Sequence, residues 1–380
     1  MSGARARDLG LLVGGTPGPF NAITDVEGVQ VGYATHIAGE GDLVVGEGPV
    51  RTGVTVILPV GPEHVQDAVP AGWFSLNGNG EMTGTTWIEE YGGLTHPIAI
   101  TNTHAVGDAH RGIIDWVSAR SPKGSTSWML PVVAETWDGY LNDIDGRHVT
   151  SASVAAALDS AASGPLAEGS VGGGTGMNCY GYKGGTGTAS RQVTLAGSTY
   201  TLGTLMQANF GSRRELTVLG VPVGPDLLDD NPLEDAGWLA PPGAGSCIVV
   251  IATDAPLLPG QCKALARRVP LGLARTGTTG SHFSGDIFLA FSTANRGALG
   301  STLVPDPGKE SMQQLAFLPW SVLDVLFEAV VQCVEESTLN ALVAGRTMVG
   351  RDGHRSPGMP HARVTELVNI RAQAHAAGRS

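Results

Sequence analysis

The chain is short of charge, of cysteine and of long apolar runs, and each shortage closes off a class of function. Charged residues fill only 15% of 380 positions, and their balance is -12. Tracts of Lys and Arg are missing; Arg213-Arg214 and Arg267-Arg268 stand as isolated pairs. A surface of this sign offers nothing to a phosphate backbone or an anionic bilayer, so no nucleic acid and no membrane is expected as a partner. No apolar stretch approaches the ~20 residues that span hydrocarbon. The run Leu9 to Val13 is broken by Gly10 and followed by Gly14-Gly15. That leaves no signal-peptide core and predicts a cytoplasmic protein. Cys179, Cys247, Cys262 and Cys333 are the only cysteines, and none forms a CxxC pair. Free buried thiols in a reducing compartment are expected, not a disulfide framework. His104 and His282 lack HExxH-type spacing, so no metal or other cofactor is expected.

Glycine, in contrast, is abundant at 55 residues without a three-residue period. The excess predicts tight turns and close backbone approaches. Val29 to Thr35, Val54 to Val60, Pro97 to Thr101 and Leu130 to Ala134 read as strands. Val106 to Arg120 has helical spacing, with Val106, Ile113, Ile114 and Val117 on its inner face, and Ala-rich Val149 to Ala162 is a second helix. Gly172 to Gly187 reads as hairpins near a site, and Val193 to Phe210 as two strands. A helical region over Gln261 to Arg275 is expected to break at Pro270. Another runs from Ser311 to about Met348, with interruptions at Pro319 and Gly345. Strands in runs, with helices between and after them, predict a layered α/β fold of two stacked sheets covered by helices.

Chemistry concentrates around one dipeptide. Val221 to Gly245 is rich in Pro, Asp and Gly and poor in pattern. It ends in Pro241-Pro242-Gly243-Ala244-Gly245, and Ser246 then leads the apolar run Cys247 to Thr253. A breakable loop thus feeds a buried strand with a hydroxyl at the junction. An ordinary loop-to-strand turn has the same form. A serine attacking the bond before it would free its own α-amine, the logic of an N-terminal nucleophile. Cys247 is the rival nucleophile, although cysteine opening an apolar strand is usually a small buried hydrophobe.

Other segments supply partners. Ser284 and Asp286 are two apart before a strand and project to one side if extended, where they could pass a proton or simply close a turn. Asn209, in Gln207-Ala208-Asn209, could donate to an oxyanion or hold a turn. Glu135 ends a buried run and could bind a substrate ammonium or cap a turn. Asn178 lies in the glycine-dense segment. That segment lacks the Gly-Lys-Ser/Thr ending of a P-loop.

Taken in order, these fragments resemble the DmpA family of self-processing aminopeptidases. The resemblance runs through Asn21 to Val26, Thr101-Asn102-Thr103-His104, Val133-Ala134-Glu135-Thr136 and Gly173-Gly174-Thr175-Gly176-Met177. It continues through Gln207-Ala208-Asn209, Gly245-Ser246, Ala252 to Leu257 and Ser284-Gly285-Asp286-Ile287-Phe288. It implies a four-layer α/β/β/α fold like that of N-terminal-nucleophile hydrolases, and a single domain cut into 1–245 and 246–380. Ser246 would be the nucleophile, Asn209 the oxyanion donor, Ser284 and Asp286 the proton-handling pair, and Glu135 the anchor of the substrate's amino terminus. Trp137 and Asn178 would shape the substrate pocket. Trp137 stands where some relatives carry tyrosine, and an indole cannot accept a proton. The expected substrates are short peptides, amides or esters with a free amino terminus, and the expected assembly is a homotetramer of cleaved protomers. Two other readings stay open: an amide-oligomer endohydrolase of the nylon-oligomer type, and a processed binding protein without turnover.

Overall fold

Apolar patterning sets out the elements in chain order. The structure is a computed structural model that describes residues 3–121, 128–195, 197–235, 243–300 and 312–377. Strands β1 (Gln30–Ala38), β2 (Val50–Leu58) and β3 (Val69–Ser75) come first, then α1 (Thr85–Tyr91), β4 (Gly93–Leu94), β5 (Ile98–Asn102), α2 (Val106–Arg120), β6 (Val132–Thr136) and α3 (Ser151–Asp159). The glycine-dense segment folds into the expected hairpin, β7 (Asn178–Cys179) and β8 (Tyr182–Lys183), and leads into β9 (Gly185–Leu195) and β10 (Ser198–Asn209). The small hairpin β11 (Thr217–Val218) and β12 (Val221–Pro222) and the single turn α4 (Pro232–Asp235) follow. Then come β13 (Gly245–Thr253), α5 (Pro259–Ala266), α6 (Val269–Arg275), β14 (Ser284–Ser292), α7 (Asp324–Ala344), β15 (Met348–Val349), β16 (Arg355–Ser356) and α8 (His361–Ala377).

Several boundaries differ from the sequence expectation. The break between α5 and α6 comes at Arg267-Arg268, not at Pro270. Pro270 sits in the first turn of α6, where a missing N–H costs no hydrogen bond. The expected helix from Ser311 starts instead at Asp324, after Pro319, as α7. The inner face of α2 is Ala109, Gly112, Ile113, Trp116 and Val117, while Val106 and Ile114 are only half-buried. Gly112 explains the rotation: a Cβ there would stand 2.7 Å from Val154 Cβ, so α2 and α3 meet where no side chain intervenes. Residues 236–242 of the expected cleavage loop lie outside the described residues.

Two sheets organise the chain. One has the order β1-β2-β5-β6 and the other β4-β3-β14-β13-β10-β9. Alternation along each strand feeds two cores. Ile57, Ile98, Ile100 and Val132 from the first sheet meet Leu205, Ile248, Val250, Ile287 and Leu289 from the second. The far face of the first sheet (Val54, Val56, Ala99, Val133) packs on α2 and α3. The far face of the second (Cys247, Val249, Ile251, Phe288) packs on α5, α6 and α7. The layers therefore run helix, sheet, sheet, helix, as the sequence predicts. Among the described residues, no helix is long and apolar enough to cross a membrane.

One buried ionic cluster ties the N-terminal segment to the helix layer. Glu336 on α7 accepts from Arg7 Nε at 2.6 Å, Arg191 Nη2 at 2.6 Å and Asn21 Nδ2 at 2.6 Å. Burial alone would raise its pKa, but the Arg7 hydrogen bond and the Arg191 charge outweigh burial and hold it below the usual range. A carboxyl with a lowered folded pKa stabilises above its unfolded value of about 4.3, and this contribution fades as pH falls through the folded pKa. Glu336→Gln leaves Arg191 buried without its carboxylate. It should cost about 3–5 kcal/mol at pH 7 in urea unfolding and remove part of the wild type's loss of stability on acidification. An unchanged urea midpoint would show that the cluster adds nothing to stability.

Candidate active site

The site grows from the head of β13. Ile248, Val250 and Ala252 enter the core between the sheets, whereas Cys247, Val249 and Ile251 face the helices. Ser246 shares the parity of Ile248, so its hydroxyl is directed between the sheets. Cys247 points the other way, fully buried, and burial drives its thiol pKa well up. A thiol so placed is a packing residue, not an ionised nucleophile.

Asn209 stands directly opposite Ser246 in the antiparallel β10–β13 ladder. Leu205 on the same strand enters the inter-sheet core, which gives Asn209 the same orientation. Gln207, between them in parity, confirms it: its amide reaches across to the Thr101 carbonyl at 3.1 Å and the Thr136 hydroxyl at 2.7 Å. Asn209 Oδ1 accepts from the Asn178 N–H at 2.8 Å, and its Nδ2 donates to the Trp137 carbonyl at 3.0 Å. One N–H of that amide remains without a hydrogen bond among the described residues. Trp137 thus contributes its carbonyl, while its indole folds over Gly139 and is 38% exposed. Asn178 is buried, and its side-chain Oδ1 has no partner among the described residues.

On the other side of β13, the parallel ladder places Gly285 opposite Ser246. The Ser284 hydroxyl donates to Asp286 Oδ1 at 2.7 Å, as their spacing predicts. Asn77 completes the pair: its Nδ2 donates to Asp286 Oδ2 at 2.9 Å, and its Oδ1 accepts the Asp286 N–H at 2.7 Å. Burial raises the Asp286 pKa, with the Ser284 and Asn77 hydrogen bonds opposing it. Ser284 and Asp286 share the parity of helix-facing Phe288. The pair therefore flanks Ser246 from the face that Cys247 occupies, not from the inter-sheet side.

Glu135 reaches the same place from β6. Its Oε1 accepts the Glu81 N–H at 3.0 Å, and the Thr103 hydroxyl donates to Oε2. Burial raises its pKa, against the pull of the Thr103 and Glu81 hydrogen bonds. It has no cationic partner among the described residues. Gly80 links it to the strand head: a Cβ there would lie 2.9 Å from Gly285 Cα and 3.2 Å from Glu135 Oε1. Gly80 thus stands between the Glu135 carboxylate and Gly285, the residue paired with Ser246. Among the described residues, no group of three or more His, Cys, Asp or Glu is arranged to hold a metal.

Sequence reasoning missed Asn77, Gly80 and the role of Thr103. The polar turn Asn77-Gly78-Asn79-Gly80-Glu81 was available as a signal. Thr103 was visible only as part of the Thr101-to-His104 match.

Two stacked sheets between helix layers, with a serine at the head of a central strand, define an N-terminal-nucleophile type of hydrolase. Comparison with known proteins narrows this. The peptidase family S58 model matches residues 21–356. The chain is 48% identical over 376 residues to the β-peptidyl aminopeptidase BapA of Sphingosinicella microcystinivorans, covering 96% of this chain and 92% of that protein. It superposes with a TM-score of 0.88 and 45% identity on the L-aminopeptidase D-Ala-esterase/amidase of Ochrobactrum anthropi, described as a prototype serine aminopeptidase with a variant Ntn-hydrolase fold; the match covers 97% of this chain and 99% of that one. A Burkholderia sp. β-aminopeptidase gives a TM-score of 0.86 at 44% identity, over 97% of this chain and 99% of that one. The chain belongs to peptidase family S58. It is a hydrolase of the serine aminopeptidase type, and the resemblance read from its sequence is borne out.

The Asn77 amide favours the ionised form of Asp286. Removing it in Asn77→Leu should raise the Asp286 pKa further, read by carbon-13 titration of labelled aspartate. A titration that does not move would show that Asn77 holds the turn without tuning the carboxyl.

Proposed function

We propose that Ser246 performs two acyl transfers. In the first, its Oγ attacks the Gly245 carbonyl; the Oγ–C bond forms, the C–N bond breaks, and the Ser246 amine leaves with the proton. Water then hydrolyses the ester, leaving 1–245 and 246–380 as one folded protomer. In the second, Oγ attacks the carbonyl of a bound peptide, amide or ester. Its proton passes to the new α-amine, whose reference pKa of about 8 suits a base near neutrality. The free N–H of Asn209 meets the oxyanion, the leaving group takes the proton, and water resolves the acyl-enzyme. The α-amine lies in the plane of the sheet, between its two faces. Ser284 and Asp286 can therefore serve it from the helix side while the hydroxyl works from the other. The observation that carries this reading is the direct opposition of Ser246 and Asn209 on the inter-sheet face.

A buried carboxylate without a cation fits the ammonium of a substrate, because such a pair forms where water is excluded. This favours an aminopeptidase over an oligomer endohydrolase. Asn178, whose buried Oδ1 has no partner among the described residues, supplies a further acceptor beside Asn209. The names of the relatives make β-amino acid amides the first substrates to offer, with D-alanine amides and esters beside them. We place the enzyme in the cytoplasm, which four free buried cysteines support, and as a homotetramer of cleaved protomers, which rests on family resemblance.

Glu135→Gln should lower kcat/KM for free-amine amides by about 30-fold or more. N-acetylated amides should be poor substrates for both proteins. Equal hydrolysis of free and N-acetylated amides by the wild type would overturn the aminopeptidase reading in favour of the endohydrolase. No turnover of either would leave a binding protein.

A further inference from the structure

Lys183 is buried completely, yet it takes part in no salt bridge among the described residues. Its Nζ donates instead to three backbone carbonyls: Met177 at 2.7 Å, Gly184 at 3.0 Å and Gly174 at 3.4 Å. Burial pulls its pKa down to about 7, with Cys179 and the buried Asp138 opposing. Three carbonyls match the three N–H bonds of an ammonium. Burying a lysine for structure alone is an expensive choice, since an apolar side chain fills the same space without desolvating a charge.

The Met177 carbonyl belongs to the same peptide group as the Asn178 N–H. That N–H is the donor to Asn209 Oδ1 at 2.8 Å. A peptide group is rigid and planar, so fixing its carbonyl fixes its N–H. A cation on the carbonyl also polarises the group and strengthens the donor at its far end. Asn209 then has one allowed orientation, with Oδ1 toward Asn178 and its NH2 toward Trp137 and the head of β13.

We propose that Lys183 is a positioning residue, which acts through the Met177–Asn178 peptide to hold the Asn209 amide with one N–H on the Trp137 carbonyl and the other left for the oxyanion formed at Ser246. This rests on the role given to Asn209 above. Lys183 touches neither substrate nor reacting atoms. Its influence should appear in the step where the oxyanion develops and not in substrate binding.

The test is a double-mutant cycle on kcat and KM with a free-amine p-nitroanilide, measured per cleaved molecule. Lys183→Met should lower kcat about tenfold to a hundredfold and leave KM within about twofold. Asn209→Ala should lower kcat about a hundredfold or more. In the double variant the Lys183→Met loss should disappear, because the amide it orients is gone. Lys183→Gln, which keeps one donor but no charge, replaces Lys183→Met if the latter does not fold. Additive losses in the cycle, or failure of both Lys183 variants to fold, would assign Lys183 to the fold alone. A normal kcat in Asn209→Ala would instead overturn the oxyanion role itself.

Discussion

The head of β13 can host a reaction because position 285 has no side chain. A Cβ on Gly285 would stand 2.4 Å from the Asn79 carbonyl oxygen and 2.5 Å from Gly80 Cα, both backbone. The turn at 77–81 therefore lies directly on the strand that neighbours Ser246. That single contact brings Asn77 to Asp286 and the Glu81 N–H to Glu135. It brings two carboxyls, Asp286 and Glu135, to the turn beside one serine.

The two faces divide the work. Strand alternation sends the Ser246 hydroxyl and Asn209 into the inter-sheet space, where a substrate's carbonyl would meet them, while the Glu135 carboxylate is held at the 77–81 turn by the Glu81 N–H and the Thr103 hydroxyl. The same alternation puts Ser284 and Asp286 behind the strand, beside Cys247. An uncut chain has only a backbone amide between these groups. Cutting at Gly245 would replace that amide with a titrating amine, and so join the two faces through a group that can accept a proton. Packing excludes a side chain at Gly245 as it does at Gly285: a Cβ there would lie 1.9 Å from the Asn209 carbonyl oxygen.

Much of this was legible in the chain. A run such as Cys247 to Thr253 reads as a strand because β-branched residues fill both faces, and Val106 to Arg120 matches its helix to the residue. The two-residue spacing of Ser284 and Asp286 correctly implied their hydrogen bond. The missing parts are those that depend on tertiary approach. Nothing near Asp286 in sequence points to Asn77, which is 209 residues away. The face on which the Ser284–Asp286 pair lies follows from sheet order, which local patterning does not encode. Lys183 looks in the sequence like any polar residue of a glycine-rich hairpin, and only its burial marks it out.

The central claim is that Ser246, not Cys247, cuts the bond before it. Intact-mass spectrometry of the purified wild type beside Ser246→Ala and Cys247→Ala tests it directly. The account predicts two fragments divided after Gly245 in the wild type and in Cys247→Ala, and one whole chain in Ser246→Ala. A wild type that stays whole, or a Ser246→Ala protein that is cut at the same bond, would contradict it.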